Sequence, residues 1–219
     1  APLRFPVQYV VRPDAAFRGY AGQIASGTLR PGDAVVALPS GRTSRVKALV
    51  SWDGELREAF APMSVTVQLE DELDISRGDM LVRAGALPHV ARRFEASLVW
   101  MHQQPLAPGR AYLLKHTTQQ VHATVTAPLK RVGIETLAHE PASQLELNEI
   151  GHVTIETVRP LFFDAYRDRR TTGAFVLIDP LSNATVAAGM IEAPLHGTSD
   201  GPVTTAERRA RAGHAPAII

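Results

Sequence analysis

Short segments with a strand-like pattern of hydrophobic and polar positions run through the whole chain. In Ser64–Leu69 the apolar residues alternate with polar ones such as Thr66 and Gln68, and this period of two is typical of a strand with one buried face. The pattern predicts further strands over residues 3–11, 20–26, 34–38, 45–50, 80–82, 94–101, 111–116, 119–127, 151–158, 174–178 and 185–191. Helical periodicity is weak, and only residues 140–147 suggest a short helical turn.

Turn residues separate these segments at intervals of about 8–12 residues, a spacing that favours β-sandwiches or barrels. Pro39, Ser40 and Gly41, for example, form a hairpin turn signal between two predicted strands. Closing a sheet into a barrel removes its exposed edges, which a chain with many short strands needs. The predicted fold class is therefore all-β, with two small β-barrels.

The predicted barrels are separated by a linker-like stretch around Gly85 and Pro88. We expect a first barrel over residues 1–86, a second over residues 92–193, and a linker over residues 194–219 that leads toward a further domain. The chain begins in a strand-like pattern and ends on apolar residues, so we expect it to be a fragment of a larger protein.

Composition narrows the classes of function. The 219 residues carry 23 Lys and Arg against 22 Asp and Glu, a net charge of +1, with the charges interspersed. Proteins held to nucleic acid by phosphate contacts usually show a clearer basic excess. The chain has no cysteine, which excludes disulfides, thiolate nucleophiles and cysteine-ligated zinc. No apolar run approaches the ~20 residues of a transmembrane helix, and we expect a cytoplasmic protein.

Motifs for catalysis and nucleotide binding are missing from the sequence. It contains no G-x-x-x-x-G-K-[ST], G-x-G-x-x-G or G-x-S-x-G motif. His116 and His122 would share a strand face, but no carboxylate at suitable spacing completes a metal site there. We therefore predict no catalytic, no cofactor-binding and no metal-binding residues in this chain.

Three further groups of charged residues are interpreted as surface features. The acidic cluster of Glu70, Asp71, Glu72 and Asp74 follows a predicted strand, where a solvated loop or a docking surface is expected. Arg77, Gly78 and Asp79 match a cell-adhesion tripeptide, but a turn explains them sufficiently. The arginines of the C-terminal region are expected to lie in a solvated linker; they are Arg208, Arg209 and Arg211.

Several segments, in this order, resemble one protein family. They are residues 4–10 (RFPVQYV), 17–22 (FRGYAG), 74–79 (DISRGD), 99–101 (VWM), 147–151 (LNEIG), 172–179 (TGAFVLID) and 183–191 (NATVAAGMI). The series is similar to the GTP-binding large subunit of bacterial sulfate adenylyltransferase, in the part that follows its GTPase domain. It covers residue 3 to about residue 192.

The resemblance implies a fold, partners and cofactors. It implies two barrels like domains 2 and 3 of translation elongation factor GTPases. It also implies an upstream GTPase domain that binds GTP and Mg²⁺, and a separate small catalytic subunit that binds ATP. Residues 205–210 and 216–219 resemble the junction to a fused adenylylsulfate kinase, which would bind ATP as well. No cofactor is expected in this chain itself, and neither a membrane nor a nucleic acid is expected as a partner.

The sequence departs from the family pattern at two places. Val11 stands where Asn is expected, and His116, Thr117 and Thr118 replace a turn that usually contains glycine. The second departure predicts a longer or differently shaped hairpin.

Three functions follow as hypotheses. The first is a non-catalytic coupling and scaffold part of the enzyme that makes adenylyl sulfate from ATP and sulfate, driven by GTP hydrolysis. The second is a translation-factor-like module that binds tRNA or ribosomal RNA. The third is a stand-alone enzyme using Asp71, Asp74 or His116, which lacks a recognisable nucleophile and base.

Overall fold

The computed structural model describes residues 1–13, 17–133 and 138–195, and almost all of its regular structure is β-strand. The strands of the first half are β1 Arg4–Val11, β2 Gly19–Gln23, β3 Thr28–Leu29, β4 Ala34–Leu38, β5 Arg42–Ser51, β6 Gly54–Leu56, β7 Ala59–Phe60, β8 Ser64–Leu69 and β9 Met80–Arg83. Those of the second half are β10 His89–Trp100, β11 Ala111–His116, β12 Gln119–Val132, β13 His139–Ala142, β14 Ile150–Phe163, β15 Ala174–Ile178 and β16 Thr185–Pro194, with a short helix α1 Arg170–Gly173.

The first seven-stranded sheet has the order β4-β9-β1-β2-β8-β5-β6, and β4 also pairs with β5. This additional pairing closes six of the strands into a barrel. All pairings in it are antiparallel, and β1 carries a register shift between Val7 and Tyr9. The short strands β3 and β7 form a separate two-stranded sheet beside it.

The second sheet has the order β11-β15-β16-β10-β14-β12-β13, and β11 also pairs with β12. It therefore closes as a six-stranded barrel in the same way as the first. The turn between β11 and β12 spans only Thr117 and Thr118, and Thr117 has a φ of 48°. Of the two predicted alternatives, the longer hairpin is wrong, because a threonine adopts the left-handed conformation that glycine more often supplies; the alternative of a different shape stays a prediction.

Each barrel encloses its own apolar core. In the first barrel Phe5, Val7 and Tyr20 are fully buried among aliphatic side chains. In the second barrel Phe94, Trp100 and other apolar side chains fill the interior. Alternation along the strands explains both cores, because successive side chains of a strand point to opposite faces of the sheet. The predicted all-β fold with small barrels is confirmed.

Three details of the structure differ from the sequence interpretation. Residues 140–147 are not helical: β13 runs over His139–Ala142, and Leu145 forms a β-bridge with Leu106. The strands β3, β6, β7 and β13 were not expected, since each is only two to four residues long and so carries too little alternation to be detected. Residues 196–219, which hold most of the predicted linker, lie outside the described part of the chain. Among the described residues no helix has the length and apolar character needed to cross a membrane.

Candidate functional site at the interface between the barrels

The acidic cluster singled out in the sequence is tied to the first barrel by local contacts. Asp71 Oδ2 accepts a hydrogen bond of 2.7 Å from Ser44 Oγ, and the backbone N–H of Asp71 donates to Ser44 Oγ at 3.2 Å. Asp74 is almost fully exposed, with Oδ1 4.0 Å from Arg18 Nη2. The cluster thus presents solvated carboxylates on one side and a structural hydrogen bond on the other, without a catalytic partner among the described residues.

His116 and His122 are not brought together. The hairpin of β11 and β12 pairs His122 with Leu113, whereas His116 pairs with Gln119 at the turn. His116 is completely buried and His122 is exposed, so the two rings lie on opposite faces of the sheet. The expectation that they share a strand face is wrong, because the chain turns between them. Within the part of the chain that the structure describes, no three His, Asp or Glu side chains are placed to hold a metal ion.

Arg77, Gly78 and Asp79 form a tight turn, as predicted. Gly78 has a φ of 95°, the conformation that a type II turn requires at its third position. The N–H of Asp79 donates to Ser76 O at 3.1 Å, and Asp79 Oδ2 accepts from the N–H of Ser76 at 2.8 Å. A Cβ added to Gly78 would come within 3.5 Å of Gln119 Cγ, so this turn lies against the second barrel. Arg208, Arg209 and Arg211 lie outside the described residues.

One face of the first barrel is buried although it points away from the barrel interior. Adjacent strands align Arg4, Val82 and Val36 in one row. The next row on the same face holds Pro6, Met80 and Leu38. The residues between these rows, such as Leu81, belong to the interior core. The two rows form the surface on which the second barrel docks.

The apolar part of this surface surrounds a phenylalanine of the second barrel. Phe162, near the end of β14, forms a buried cluster with Val36, Leu38, Met80 and Val82. The neighbouring Phe163 points the other way, into the core of its own barrel. We call this contact the Phe162 plug. Burial of a phenylalanine side chain of this kind stabilises the contact by about 1.5–3 kcal/mol.

The polar part of the interface is a buried ion pair between the barrels. Arg4 Nε donates to Asp164 Oδ2, and Arg4 Nη2 donates to Asp164 Oδ1, both at 2.9 Å. Arg4 Nη1 donates to the carbonyl oxygens of Leu3 and Ala86. Only 2% of the Arg4 side chain and 7% of the Asp164 side chain are exposed. This two-point geometry fixes the relative orientation of the two groups as well as their distance.

The carboxylate of Asp164 is saturated with donors. Besides Arg4, it accepts hydrogen bonds from Thr172 Oγ1 at 2.7 Å and from Arg169 Nη1 at 2.9 Å. Burial by itself raises the pKa of Asp164, but the hydrogen bonds from Arg4 and Thr172 and the charges of Arg4 and Arg169 outweigh burial and lower that pKa. Asp164 is therefore ionised at neutral pH. We call Arg4, Asp164, Arg169 and Thr172 the Asp164 network.

His116 extends this network into the second barrel. Its Nε2 lies 2.9 Å from Thr172 O, and because a carbonyl can only accept, Nε2 carries the proton. Nδ1 is buried without a hydrogen-bond partner. Burial lowers the pKa of His116, against smaller opposing effects of Thr172 and Asp164. The buried histidine is thus a neutral hydrogen-bond donor to Thr172 O.

A cleft opens beside the Phe162 plug, where the two barrels diverge. It has a volume of about 280 Å³. Arg77 and Asp79 line it from the first barrel, and Thr118, Gln120 and Arg159 line it from the second. The interface therefore combines an apolar contact, a buried ion pair and an open cleft lined by both polar and apolar residues.

The residues that build this interface were missed in the sequence, although it contains signals for them. Arg4 interrupts the apolar residues Leu3 and Phe5, and Asp164 directly follows two phenylalanines. Charges at such positions are costly unless they are paired. Residues 34–38 (AVVAL) are apolar without alternation, which is typical of a strand buried on both faces.

The chain shares its fold and much of its sequence with known proteins. Residues 93–192 match the family described as GTP-eEF1A C-terminal domain-like. The chain is 56% identical to sulfate adenylyltransferase subunit 1 of Chromobacterium violaceum, over 88% of this chain and 41% of the relative. It is 47% identical to the bifunctional enzyme CysN/CysC of Rhodopirellula baltica, over 99% of this chain and 36% of the relative, and 52% identical to the bifunctional enzyme NodQ of Rhizobium sp. (strain N33), over 87% and 29%.

The chain thus spans less than half of the length of these curated relatives. Among solved structures, Sup35 in complex with GDP superimposes with a TM-score of 0.81 at 19% identity, over 90% of this chain and 48% of that one. At such low identity this likeness shows the fold alone.

Proposed function

The chain belongs to the family of sulfate adenylyltransferase subunit 1 and the related bifunctional enzymes, and on that premise we propose that it is a non-catalytic coupling and scaffold portion of such a subunit. The complete enzyme would make adenylyl sulfate from ATP and sulfate, driven by GTP hydrolysis, in sulfate assimilation. The identity of 47–56% to relatives that carry these names supports the assignment.

The buried contact of Arg4 with Asp164 is the observation that carries the coupling role. A two-point ion pair with less than a tenth of either side chain exposed resists sliding and rotation more than an apolar contact does. Close-packed cores shift as units instead of deforming smoothly. Two barrels locked in this way would pass a movement of an attached domain to a partner as a rigid body.

The arrangement of the whole protein is part of this proposal. Residues 1–86 and 92–193 would be its two barrel domains, and residues 194–219 a linker. An upstream GTPase domain would bind GTP and Mg²⁺, and a separate small subunit would bind ATP and transfer the adenylyl group. The two relatives whose names describe them as bifunctional support a fused C-terminal adenylylsulfate kinase. We place the enzyme in the cytoplasm.

Coupling is tested in the full-length protein assembled with its small subunit. Asp164→Ala leaves GTP hydrolysis in place but lowers the amount of adenylyl sulfate formed per GTP hydrolysed, because the barrels no longer move together. Asp168→Ala is the matched control, since that carboxylate lies on the same loop and is 57% exposed. An unchanged ratio of product to GTP in a folded Asp164→Ala protein would refute the coupling role of this contact.

The proposed absence of a nucleotide site in this chain has its own test. The sequence contains no phosphate-binding glycine loop. In titration calorimetry the 219-residue chain is expected to give no heat of binding with GTP or ATP at micromolar concentrations. Saturable binding in that range would show that the chain holds a nucleotide site.

A translation-factor-like role in RNA binding is the alternative, and it is not favoured. The fold that the chain shares with Sup35, at 19% identity, is the one observation in its favour. The net charge of +1 is evidence against it, because RNA-binding proteins usually carry a clearer basic excess. Such a role predicts binding to tRNA that weakens steeply as salt rises. A gel shift with tRNA at low salt is expected to show no complex.

A further inference from the structure

The cleft between the barrels is lined by basic groups that have few partners. Arg159 lies in the second barrel, and within the described residues its guanidinium makes no hydrogen bond or ion pair. Arg77 lies across from it in the first barrel and uses one nitrogen, Nη1, to donate to Gln8 O at 3.0 Å. A guanidinium offers five N–H donors. Most of the donors of both arginines are therefore free to bind a ligand in the cleft.

A residue that lines the same cleft, Thr118, has a hydroxyl group without a partner. Thr118 Oγ1 is shielded from solvent yet has no hydrogen-bond partner. Buried polar atoms without partners are uncommon in folded proteins, and a functional role is one reason for them. Thr118 belongs to the two-residue turn between β11 and β12, whose backbone is held in place by both strands. The hydroxyl does not face the open cleft in this rotamer, and a rotation about the Cα–Cβ bond would bring it to a bound oxygen.

Charge in the cleft favours an anion. The cleft wall contains two guanidinium groups and one carboxylate, that of Asp79. Asp79 Oδ2 already accepts a hydrogen bond from the N–H of Ser76, which turns that oxygen toward its own loop. Burial raises the pKa of Asp79, because it disfavours the charged form of the carboxyl group.

Size and geometry limit the class of ligand. A cleft of about 280 Å³ is slightly smaller than the usual small-molecule pocket of about 300–1,000 Å³. Phosphate and sulfate oxygens match the spacing of guanidinium N–H groups, which bind them at two points. Two guanidinium groups on different walls of the cleft offer donors for different oxygens of one tetrahedral group, and the rotated Thr118 hydroxyl would add another.

We propose that this cleft binds a small tetrahedral oxyanion, sulfate or phosphate, between Arg77 of the first barrel and Arg159 and Thr118 of the second. Because its ligands come from both barrels, a bound anion bridges the interface and stabilises the docked arrangement. This inference does not rest on the proposed function, since the binding of the anion is measured directly.

The test is a titration of the 219-residue chain with sodium sulfate and, separately, with sodium phosphate, at constant ionic strength set with sodium chloride. Chemical shifts of the Gly78 and Gln119 amides report binding. Both anions are expected to shift these amides saturably. Arg159→Gln is expected to weaken binding about tenfold or more, a factor that corresponds to about 1.4 kcal/mol.

Two variants separate a built site from general attraction of anions. Arg57→Gln removes one charge from an exposed position outside the cleft and is expected to leave the dissociation constant unchanged. Thr118→Val keeps the shape of the side chain but removes the hydroxyl, and it is expected to weaken binding with no change in fold. A dissociation constant equally affected by Arg159→Gln and Arg57→Gln, or no saturation with either anion, would overturn the proposal.

The two titrations also separate the possible ligands. Tighter binding of sulfate than of phosphate identifies the former as the ligand, and the reverse order identifies a phosphate group; both results support an oxyanion site. Equal shifts with sodium chloride alone would overturn it, because chloride lacks the oxygens of a tetrahedral oxyanion.

Discussion

Two neighbouring contacts hold the barrels together: Arg4 and Asp164 form a buried ion pair, whereas Phe162 packs among four apolar side chains of the first barrel. The Phe162 plug gains free energy from any arrangement that removes its ring from water, because the hydrophobic effect has no preferred direction. The Asp164 network gains free energy only when the donors and acceptors are aligned. The first contact therefore favours docking, and the second selects one docked orientation.

A third contact shows that burial, and not distance, makes the Asp164 network important. Arg83 Nη2 and Asp33 Oδ2 are also 2.9 Å apart, but their side chains are 49% and 27% exposed. Water stabilises exposed charges almost as well as a partner does, so exposed pairs contribute about 0–1 kcal/mol. In contrast, breaking a buried pair leaves a charge without a partner or water, which costs about 3–5 kcal/mol.

Removal of the buried carboxylate is expected to have the largest effect on stability. Asp164→Ala leaves the Arg4 guanidinium buried without its counter-charge, so we expect the free energy of unfolding to fall by about 3–5 kcal/mol. Urea denaturation followed by tryptophan fluorescence measures this change. Asp168→Ala, on the same loop, should change it by less than about 0.5 kcal/mol. Equal effects of the two variants would mean that burial of the ion pair does not increase its contribution to the free energy of unfolding.

Removal of the apolar contact comes next. Phe162→Ala leaves a cavity among Val36, Leu38 and Met80, and we expect a loss of about 3 kcal/mol, at the low end for phenylalanine in a core, because the barrels can close part of the gap. The same urea titration should also show a broader transition, since the two barrels then unfold less cooperatively. Phe162→Leu is the milder control. A sharp transition of unchanged midpoint would show that the plug does not hold the barrels together.

The pH dependence of stability sharpens the role of His116. An unfolded histidine titrates near pH 6.5, and burial lowers the pKa of His116 in the folded chain. Below about pH 6.5 the unfolded state therefore binds a proton that the folded state does not. The free energy of unfolding should fall with decreasing pH by up to about 1.4 kcal/mol per pH unit until the folded-state pKa is reached.

His116→Gln removes the titrating ring but keeps an N–H that can donate to Thr172 O. Urea titrations at several pH values between 7 and 5 should show a shallower decline for this variant than for the unaltered chain. Parallel curves would contradict a neutral, buried His116 as a source of the pH dependence.

The exposed ion pair is expected to give the smallest effect. Arg83→Gln should lower the free energy of unfolding by no more than about 1 kcal/mol, and the difference should shrink further in 1 M sodium chloride, where exposed charges are screened. Urea titrations at low and high salt check this. A loss as large as that of Asp164→Ala would remove the distinction between exposed and buried pairs.

Much of the fold was predictable because the signal is local. Clean alternation, as in Ser64–Leu69, and turn residues such as Gly41 report which face of a strand is buried and where the chain reverses. The turn of Arg77, Gly78 and Asp79 was predicted for the same reason. The helical turn over residues 140–147 was wrong because a four-residue edge strand, β13, is specified by its pairing with β12 and not by its own pattern.

The candidate site was much less predictable. Arg4 and Asp164 are 160 residues apart in the chain, and the sequence around either residue does not indicate that the other is its partner. The same holds for Arg77 and Arg159, which meet only at the cleft. The candidate residues in the sequence were instead Asp71, Asp74, His116 and His122. The structure places His116 and His122 on opposite faces of the sheet.

The sequence by itself determined the longer strands, most of the turns, the all-β class and the family, because each depends on residue types close together in the chain. Only the tertiary structure decided which outward-facing rows of the first barrel are buried, that Arg4 meets Asp164, and that an open cleft remains beside Phe162. These features depend on how two closed barrels dock, and that choice is made by contacts between residues far apart in sequence, whose free energy exists only once both barrels have formed.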